Sequence, residues 1–318
     1  MGMLLDGSWT EEDPRMSGKG GTFQRPQSTF RAVIGDPQHP AEPGRYHLFA
    51  SPTCPWAQRV VIARRLKRLE GLISLSEADQ PKYQGWTFSD GIDGFQPEAG
   101  RMYLHRVYTA ADAGFTGRVT VPVLWDRRLE AIVNNESSEI LRMFDSAFDG
   151  IAPPSPSLRP VPLEDEIDET NAWLYEPVNN GVYRCGYAKT QEAYEQAFMT
   201  LFAALDRLDA RLERQRYLLG DAITECDVRL FTTLVRFDAV YLVHFKCNRN
   251  RISDFAHLGP YLRDLFQTPG FGDTVDMPRI KHGYYAEHRH INPSGLVPLG
   301  PELDFEAPHD RARLTPVS

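Results

Sequence analysis

Apolar positions follow no period over residues 1–44, then form a short continuous run and then a helical repeat. The run "RYHLFA" carries Tyr46, Leu48 and Phe49 and predicts a buried strand over 46–50. Behind it, "PWAQRVVIARRLKRLEG" sets Ile62, Leu66 and Leu69 on one stripe and Arg64, Arg65, Lys67 and Arg68 toward water, which predicts a helix over 55–70. Pro55 suits the first helical position, where its missing N–H costs nothing, and Gly71 suits the stop. "LISLSEA" (72–78) predicts a second strand and completes a β-α-β unit. Residues 79–118 read as one irregular stretch, too long for an ordinary connection; Trp86 and Phe88 mark it as an ordered functional loop. "RVTVPVLWD" (118–126) and "AIV" (131–133) predict further strands, and "SSEILRMFDSAF" (137–148) a helix.

The proline-dense "GIAPPSPSLRPVP" separates this α/β region from a helical one. There Phe198, Leu201, Phe202, Leu205, Leu208 and Leu212 form a continuous stripe, and Thr224 stands three residues before Asp227 as a capping box, a purely structural device. The pattern divides the chain into a lead-in (1–44), an α/β domain (45–150), a linker (151–162), an all-helical domain (163–290) and an extended tail (291–318). Whether "FQR" in the lead-in packs near a functional site is left open by the pattern.

A net charge of −8 argues against general nucleic-acid binding, and no apolar stretch is long enough for a signal peptide or a bilayer span. Cys54, Cys185, Cys226 and Cys247 lack disulfide or metal spacing, so a reducing compartment is expected, most simply the cytoplasm, and no metal site.

Cys54 carries the chemistry. It stands between strand and helix, directly before Pro55, where unpaired N–H groups and the positive end of the helix dipole stabilise a thiolate. The alternative is a small buried hydrophobe. Ala57 occupies the place of a second cysteine in a CxxC pattern, so a disulfide formed at Cys54 needs an outside thiol to release it. Pro122 interrupts a strand-like run; it reads as a turn into the strand, often with a cis Val121–Pro122 bond that leaves the main chain of Val121 to pair with a ligand, or else as an edge strand with a trans proline.

Over almost the whole chain the order of "MGMLLDGSW", "FQR", "CPWA", "GWTF", "GRVTVPVLWD", "NNESSEI", "VNNGVY", "TTLVRFD", "HFKC", "RISD" and "INP" resembles the Xi-class glutathione transferases, the glutathionyl-hydroquinone reductases. The resemblance implies a thioredoxin-like N-terminal domain followed by an all-helical C-terminal domain, an α/β plus all-α fold. It puts the nucleophile on Cys54 and the glutathione contacts on Trp86, on Arg118, Val119, Thr120 and Val121, and on Glu136 with Ser137. It puts tyrosines near the thiol and second substrate on Tyr183, Tyr241 and Tyr284, and implies a homodimer. One position departs from the family: Gln58 stands where relatives commonly have histidine.

The residue types fit glutathione as co-substrate. Ser137 opens a helix whose N–H groups suit a carboxylate, Glu136 can accept from the ammonium, Val121 offers main-chain hydrogen bonds, and Arg118 and the Trp86 indole are donors. On this reading Cys54 takes glutathione from a glutathionyl-hydroquinone as a mixed disulfide, Tyr183 protonates the departing aromatic carbon, and Tyr241 and Tyr284 donate hydrogen bonds that favour the thiolate. The nearest alternative is an omega-like thiol transferase or dehydroascorbate reductase; a non-catalytic transferase-like binding module is a further one.

Overall fold

The computed structural model describes residues 2–11, 19–92 and 94–315. The chain clusters into two compact units, Met1–Met16 with Arg25–Pro156 and Ser17–Gln24 with Ser157–Ser318.

The first unit opens with a hairpin, β1 (Met3–Leu5) and β2 (Ser8–Thr10). Its centre is a sheet of β3 (Tyr46–Ala50), β4 (Ile73–Glu77), β8 (Val123–Asp126) and β9 (Ala131–Asn134), in the order β4-β3-β8-β9. β3 runs parallel to β4, with Leu48 opposite Leu75, and antiparallel to β8, with Leu48 opposite Leu124. Helices α1 (Pro55–Leu66) and α3 (Ser137–Ser146) pack together and bury Val60, Ile62, Ile140, Leu141 and Phe144. Parallel β3–β4 around a helix, then two antiparallel strands and a helix, is the thioredoxin-like arrangement that the resemblance implies.

Several expectations change. Helix α1 stops at Leu66, not at 70, and Arg68 rather than Gly71 takes the left-handed conformation behind it, at φ +55°. Arg64 and Lys67 do not face water: both are buried. Arg64 donates to the Ile73 carbonyl (2.7 Å), and Lys67 meets Asp145 (3.1 Å) and the Pro156 carbonyl (3.2 Å). Their heads pair with main-chain carbonyls and a carboxylate, which a hydrophobic stripe cannot register.

The stretch 79–118 is not irregular throughout. It holds two short paired strands, β5 (Thr87–Phe88) and β6 (Met102–Tyr103), then α2 (Leu104–Ala111) and β7 (Gly117–Arg118). The helical signal was present in Leu104, Val107 and Tyr108, all buried, but two turns are too short to stand out. The lead-in, too, is built into the sheets. β1 pairs with β7, Met3 opposite Arg118, and residues near Ala32 add an irregular edge to β9, the Ala32 N–H donating to the Val133 carbonyl (2.9 Å).

In the second unit the helices are α4 (Glu164–Leu174), α5 (Gly181–Gly186), α6 (Gln191–Leu212), α7 (Glu225–Arg236), α8 (Leu242–His244), α9 (Leu258–Phe266) and α10 (Met277–Tyr285). The α6 stripe is buried except that Phe198 is half-buried. Thr224 and Asp227 form the capping box, and Asp227 also accepts from the Tyr261 hydroxyl (2.7 Å) and the Leu218 N–H (2.9 Å).

Two widened helical turns, Tyr175–Asn179 and Phe237–Tyr241, interrupt the regular repeat. Pro177 lacks the N–H that would continue α4, and Asn179 braces that turn on the Arg229 carbonyl (3.2 Å) and the Thr233 hydroxyl (2.9 Å). The tail is extended as expected over most of its length but ends in a short helix, Arg311–Leu314, whose buried Arg311 donates to the carbonyls of Leu212 (2.7 Å) and Arg216 (2.6 Å). Among the described residues no helix is long and apolar enough to cross a membrane.

Candidate active site

Cys54 caps α1, with Pro55 as its first residue. Its backbone is extended (φ −88°, ψ 117°), its N–H donates to the Ser51 carbonyl (3.1 Å), and its carbonyl accepts the first helical bond from Gln58 (3.0 Å). The thiol makes no cap hydrogen bond, and as the N-cap residue Cys54 stands at the positive end of the helix. It is half-buried, whereas Cys185, Cys226 and Cys247 are buried. Burial pushes the Cys226 thiol up to about 12 and raises that of Cys247 well above the ordinary value, so neither is a nucleophile at neutral pH. Two guanidinium groups stand near the start of α1: Arg25 lies 4.4 Å and Arg59 4.2 Å from the ring centre of Trp56. Gln58 is buried on the same turn.

The Val121–Pro122 bond is cis, and the Cys54 thiol lies 3.7 Å from the Val121 carbonyl oxygen. Val121, the last residue of the run Arg118–Val121, therefore lies beside the sulfur. Val119 and Val121 are buried and Arg118 is half-buried. Thr120 is committed to the protein: its carbonyl accepts from the Tyr108 hydroxyl (2.9 Å), and its N–H lies 3.3 Å from the same oxygen. Glu136 is the N-cap of α3, accepting from the Ser138 N–H (3.1 Å) and hydroxyl (2.9 Å) and from the Ser28 hydroxyl (3.0 Å), with Ser137 buried behind it. Trp86 is half-buried, and the Lys82 ammonium sits 4.1 Å from its ring centre.

Tyr108 is the residue that sequence reasoning missed. Its fully buried hydroxyl joins Thr120 to the Asn135 side-chain amide (3.2 Å), and so ties the chain beside Cys54 to the residue preceding Glu136. Burial raises its ionisation above the usual tyrosine range, against the opposing effect of those hydrogen bonds, so it remains a neutral donor. The one signal available, the apolar spacing of Leu104, Val107 and Tyr108, points to core packing and not to a hydrogen-bonding hub. Tyr108→Phe should lower stability by about 1–3 kcal/mol, measured by denaturant unfolding, because buried partners lose their bond. The same change should raise the KM for glutathione more than it lowers kcat.

In the second unit, Tyr183 on α5, Tyr241 at the end of the second widened turn and Tyr284 on α10 share one hydrogen-bond chain. The Tyr284 hydroxyl lies 2.7 Å from that of Tyr183 and 3.1 Å from that of Tyr241. Exposure rises along the chain from 0% at Tyr241 through 3% at Tyr284 to 9% at Tyr183. Burial, reinforced by the two neighbouring phenols, holds Tyr284 well above its ordinary ionisation range, with Arg236 opposing. The ring of Phe245 packs 5.4 Å from both Tyr183 and Tyr241 and 5.7 Å from Tyr284. A Cβ on Gly186 would meet that ring at 2.2 Å, so only glycine permits this packing.

Residues 53–147 match the family model for the glutathione S-transferase N-terminal domain, and residues 191–268 that for the glutathione S-transferase C-terminal domain. A cysteine-capped helix on a thioredoxin-like sheet, followed by an all-helical unit, places the chain in that class. Among curated relatives it is 47% identical to the glutathionyl-hydroquinone reductase PcpF of Sphingobium chlorophenolicum, over 95% of this chain and 96% of the relative. It is 44% identical to the glutathionyl-hydroquinone reductase YqjG of Escherichia coli K12, over 98% of each chain. The glutathione-bound structure of YqjG superposes with a TM-score of 0.87 at 42% identity, covering 98% of this chain and 99% of that one. An Xi-class transferase from Natrialba magadii superposes with a TM-score of 0.91 at 46% identity, over 98% of both chains. The chain belongs to the Xi-class glutathione transferases, the family of the glutathionyl-hydroquinone reductases.

Proposed function

We propose that this protein reduces glutathionyl-hydroquinones to hydroquinones, with glutathione as co-substrate and Cys54 as nucleophile. The observation that carries the reading is the half-buried Cys54 sulfur at the N-cap of α1, beside the Val121 carbonyl. The Cys54 thiolate attacks the sulfur of the aryl thioether. An S–S bond forms as the S–C(aryl) bond breaks, and the electron pair left on the aryl carbon takes a proton from Tyr183. A second glutathione thiolate then attacks the mixed disulfide, returning Cys54 and releasing glutathione disulfide. The aryl carbon is thereby reduced by two electrons, one from the thioether sulfur and one from the thiol of the incoming glutathione, and the two sulfurs leave joined as glutathione disulfide.

Glutathione is held, on this reading, by Trp86, Arg118, Val119, Thr120, the main chain of Val121, and the Glu136–Ser137 end of α3. The engagement of the Thr120 main chain by Tyr108 supports Val121 as the main-chain pairing residue, and the Glu136 carboxylate, which accepts from Ser138 and Ser28, is on this reading the acceptor for the ammonium. On this reading Tyr241 and Tyr284 are the donors that favour the thiolate, and the Tyr284 hydroxyl, which also meets that of Tyr241, holds the Tyr183 hydroxyl in place. The enzyme is taken to be a cytoplasmic homodimer without nucleic-acid or membrane partners; sedimentation at twice the chain mass checks the dimer.

A conjugating transferase activates the thiol of glutathione itself and has no use for a protein thiolate. The test is the ratio of two catalytic efficiencies under the same conditions, glutathionyl-hydroquinone reduction and conjugation of glutathione to a chlorinated aromatic acceptor. Reduction should dominate and yield stoichiometric glutathione disulfide. A ratio favouring conjugation contradicts the mechanism.

A further inference from the structure

"FQR" is the sequence motif that the proposed reaction leaves without a role. Phe23 lies in the segment that clusters with the helical unit, where the Lys189 N–H donates to the Gly21 carbonyl (2.9 Å) and the Thr190 hydroxyl to the Gly20 carbonyl (3.2 Å). These bonds strap the segment onto the chain between α5 and α6. Gly21 has φ +78°, and a Cβ there would meet Thr190 Cγ2 at 3.0 Å and Lys189 Cβ at 3.1 Å, so the close approach requires glycine. Held in this way, Phe23 is buried and stacks on two tyrosines, with ring centres 6.1 Å from Tyr183 at 25° and 5.4 Å from Tyr187 at 29°. Tyr187 in turn stacks on Tyr183 at 6.3 Å and 14°. Phe245 meets Tyr183 from a different direction, at 60°.

We propose that Phe23 is a positioning residue for the proton donor: its ring, carried in by the N-terminal lead-in, sets the plane of Tyr183 and so the line along which the phenol proton is delivered. This rests on the reading of Tyr183 as the acid. A phenol has two side-chain torsions, and its O–H lies near the ring plane. Packing against the ring face therefore fixes the direction of transfer. Displacement by about an ångström at such a group costs up to roughly 10²-fold in rate. Attack on sulfur needs no proton at carbon, so a defect in Phe23 should separate the two kinds of substrate.

Phe23→Leu keeps an apolar side chain and removes the ring. Its kcat for glutathionyl-hydroquinone reduction should fall about tenfold or more, with KM within about threefold and an increased solvent deuterium effect. Reduction of a small glutathione mixed disulfide by the same preparation should be unchanged. Phe23→Tyr should restore kcat, and Gly21→Ala, which pushes the strap from Lys189 and Thr190, should reproduce the selective loss. Equal losses on both substrates, or full hydroquinone activity in Phe23→Leu while Tyr183→Phe has lost it, would overturn the inference. Full activity in Tyr183→Phe itself would instead refute the acid assignment and this inference with it.

Discussion

Cys54→Ser should lower glutathionyl-hydroquinone reduction by about 10⁴-fold or more, the scale on which loss of a covalent nucleophile falls. A serine hydroxyl in the same place is not ionised at neutral pH and forms no disulfide with glutathione. The intact protein mixed with glutathione disulfide should gain one glutathionyl group by mass, on Cys54, and the variant none. The other cysteines supply the control. Cys185, Cys226 and Cys247 are buried, and burial holds Cys226 and Cys247 in the thiol form. Each replaced by alanine should keep turnover within about threefold while losing about 1 kcal/mol of stability to the small cavity. Substantial turnover in Cys54→Ser would end the covalent mechanism.

Tyr183→Phe should slow hydroquinone release by about 10²- to 10⁴-fold, the usual weight of a general acid, and leave the rate of Cys54 alkylation nearly intact. The hydrogen-bond chain adds an ordering. Tyr284 lies between its neighbours, at 2.7 Å from Tyr183 and 3.1 Å from Tyr241, so Tyr284→Phe should cost more than Tyr241→Phe. Combining Tyr284→Phe with Tyr183→Phe should add little to the loss of proton delivery from Tyr183 alone, because the two hydroxyls are joined in one hydrogen-bond chain. The pH profile follows from direction. Burial, first, and the two phenols, second, hold Tyr284 well above its ordinary range. Its proton therefore stays in place as pH rises through neutrality, and no alkaline loss below about pH 10 should trace to it. Single-turnover rates across that range, with wild type and Tyr284→Phe compared, provide the measurement. If all three phenylalanine variants keep wild-type release, the tyrosines are packing.

Local chemistry explains which parts were readable beforehand. Strand Tyr46–Ala50 and the start of α1 at Pro55 follow from an apolar run and a proline, both signals contained within a few residues. The capping box at Thr224 and Asp227 is equally local. The end of α1 was misjudged because Leu69, which prolongs the stripe, is buried from beyond the helix rather than on it. The lead-in looked passive because its role is pairing at long range, Met3 with Arg118 and Ala32 with Val133, and such pairing leaves no period in the sequence.

By itself the sequence determined the setting of Cys54, since a cysteine before Pro55 is placed at a helix N-terminus by the chain's own stereochemistry. It determined the α/β and all-α halves through hydrophobic period, and the family through the order of its motifs. Only the tertiary structure decided that Tyr183, Tyr241 and Tyr284 meet: they come from three separate elements, and a hydrogen bond between residues 101 positions apart depends on packing. It also decided that the Tyr108 hydroxyl serves Thr120 and Asn135, and that Phe23 from the lead-in lies on Tyr183. The physical reason is shared. Period and propensity report which face of an element is buried, while the partner met on that face depends on how the other elements are brought against it.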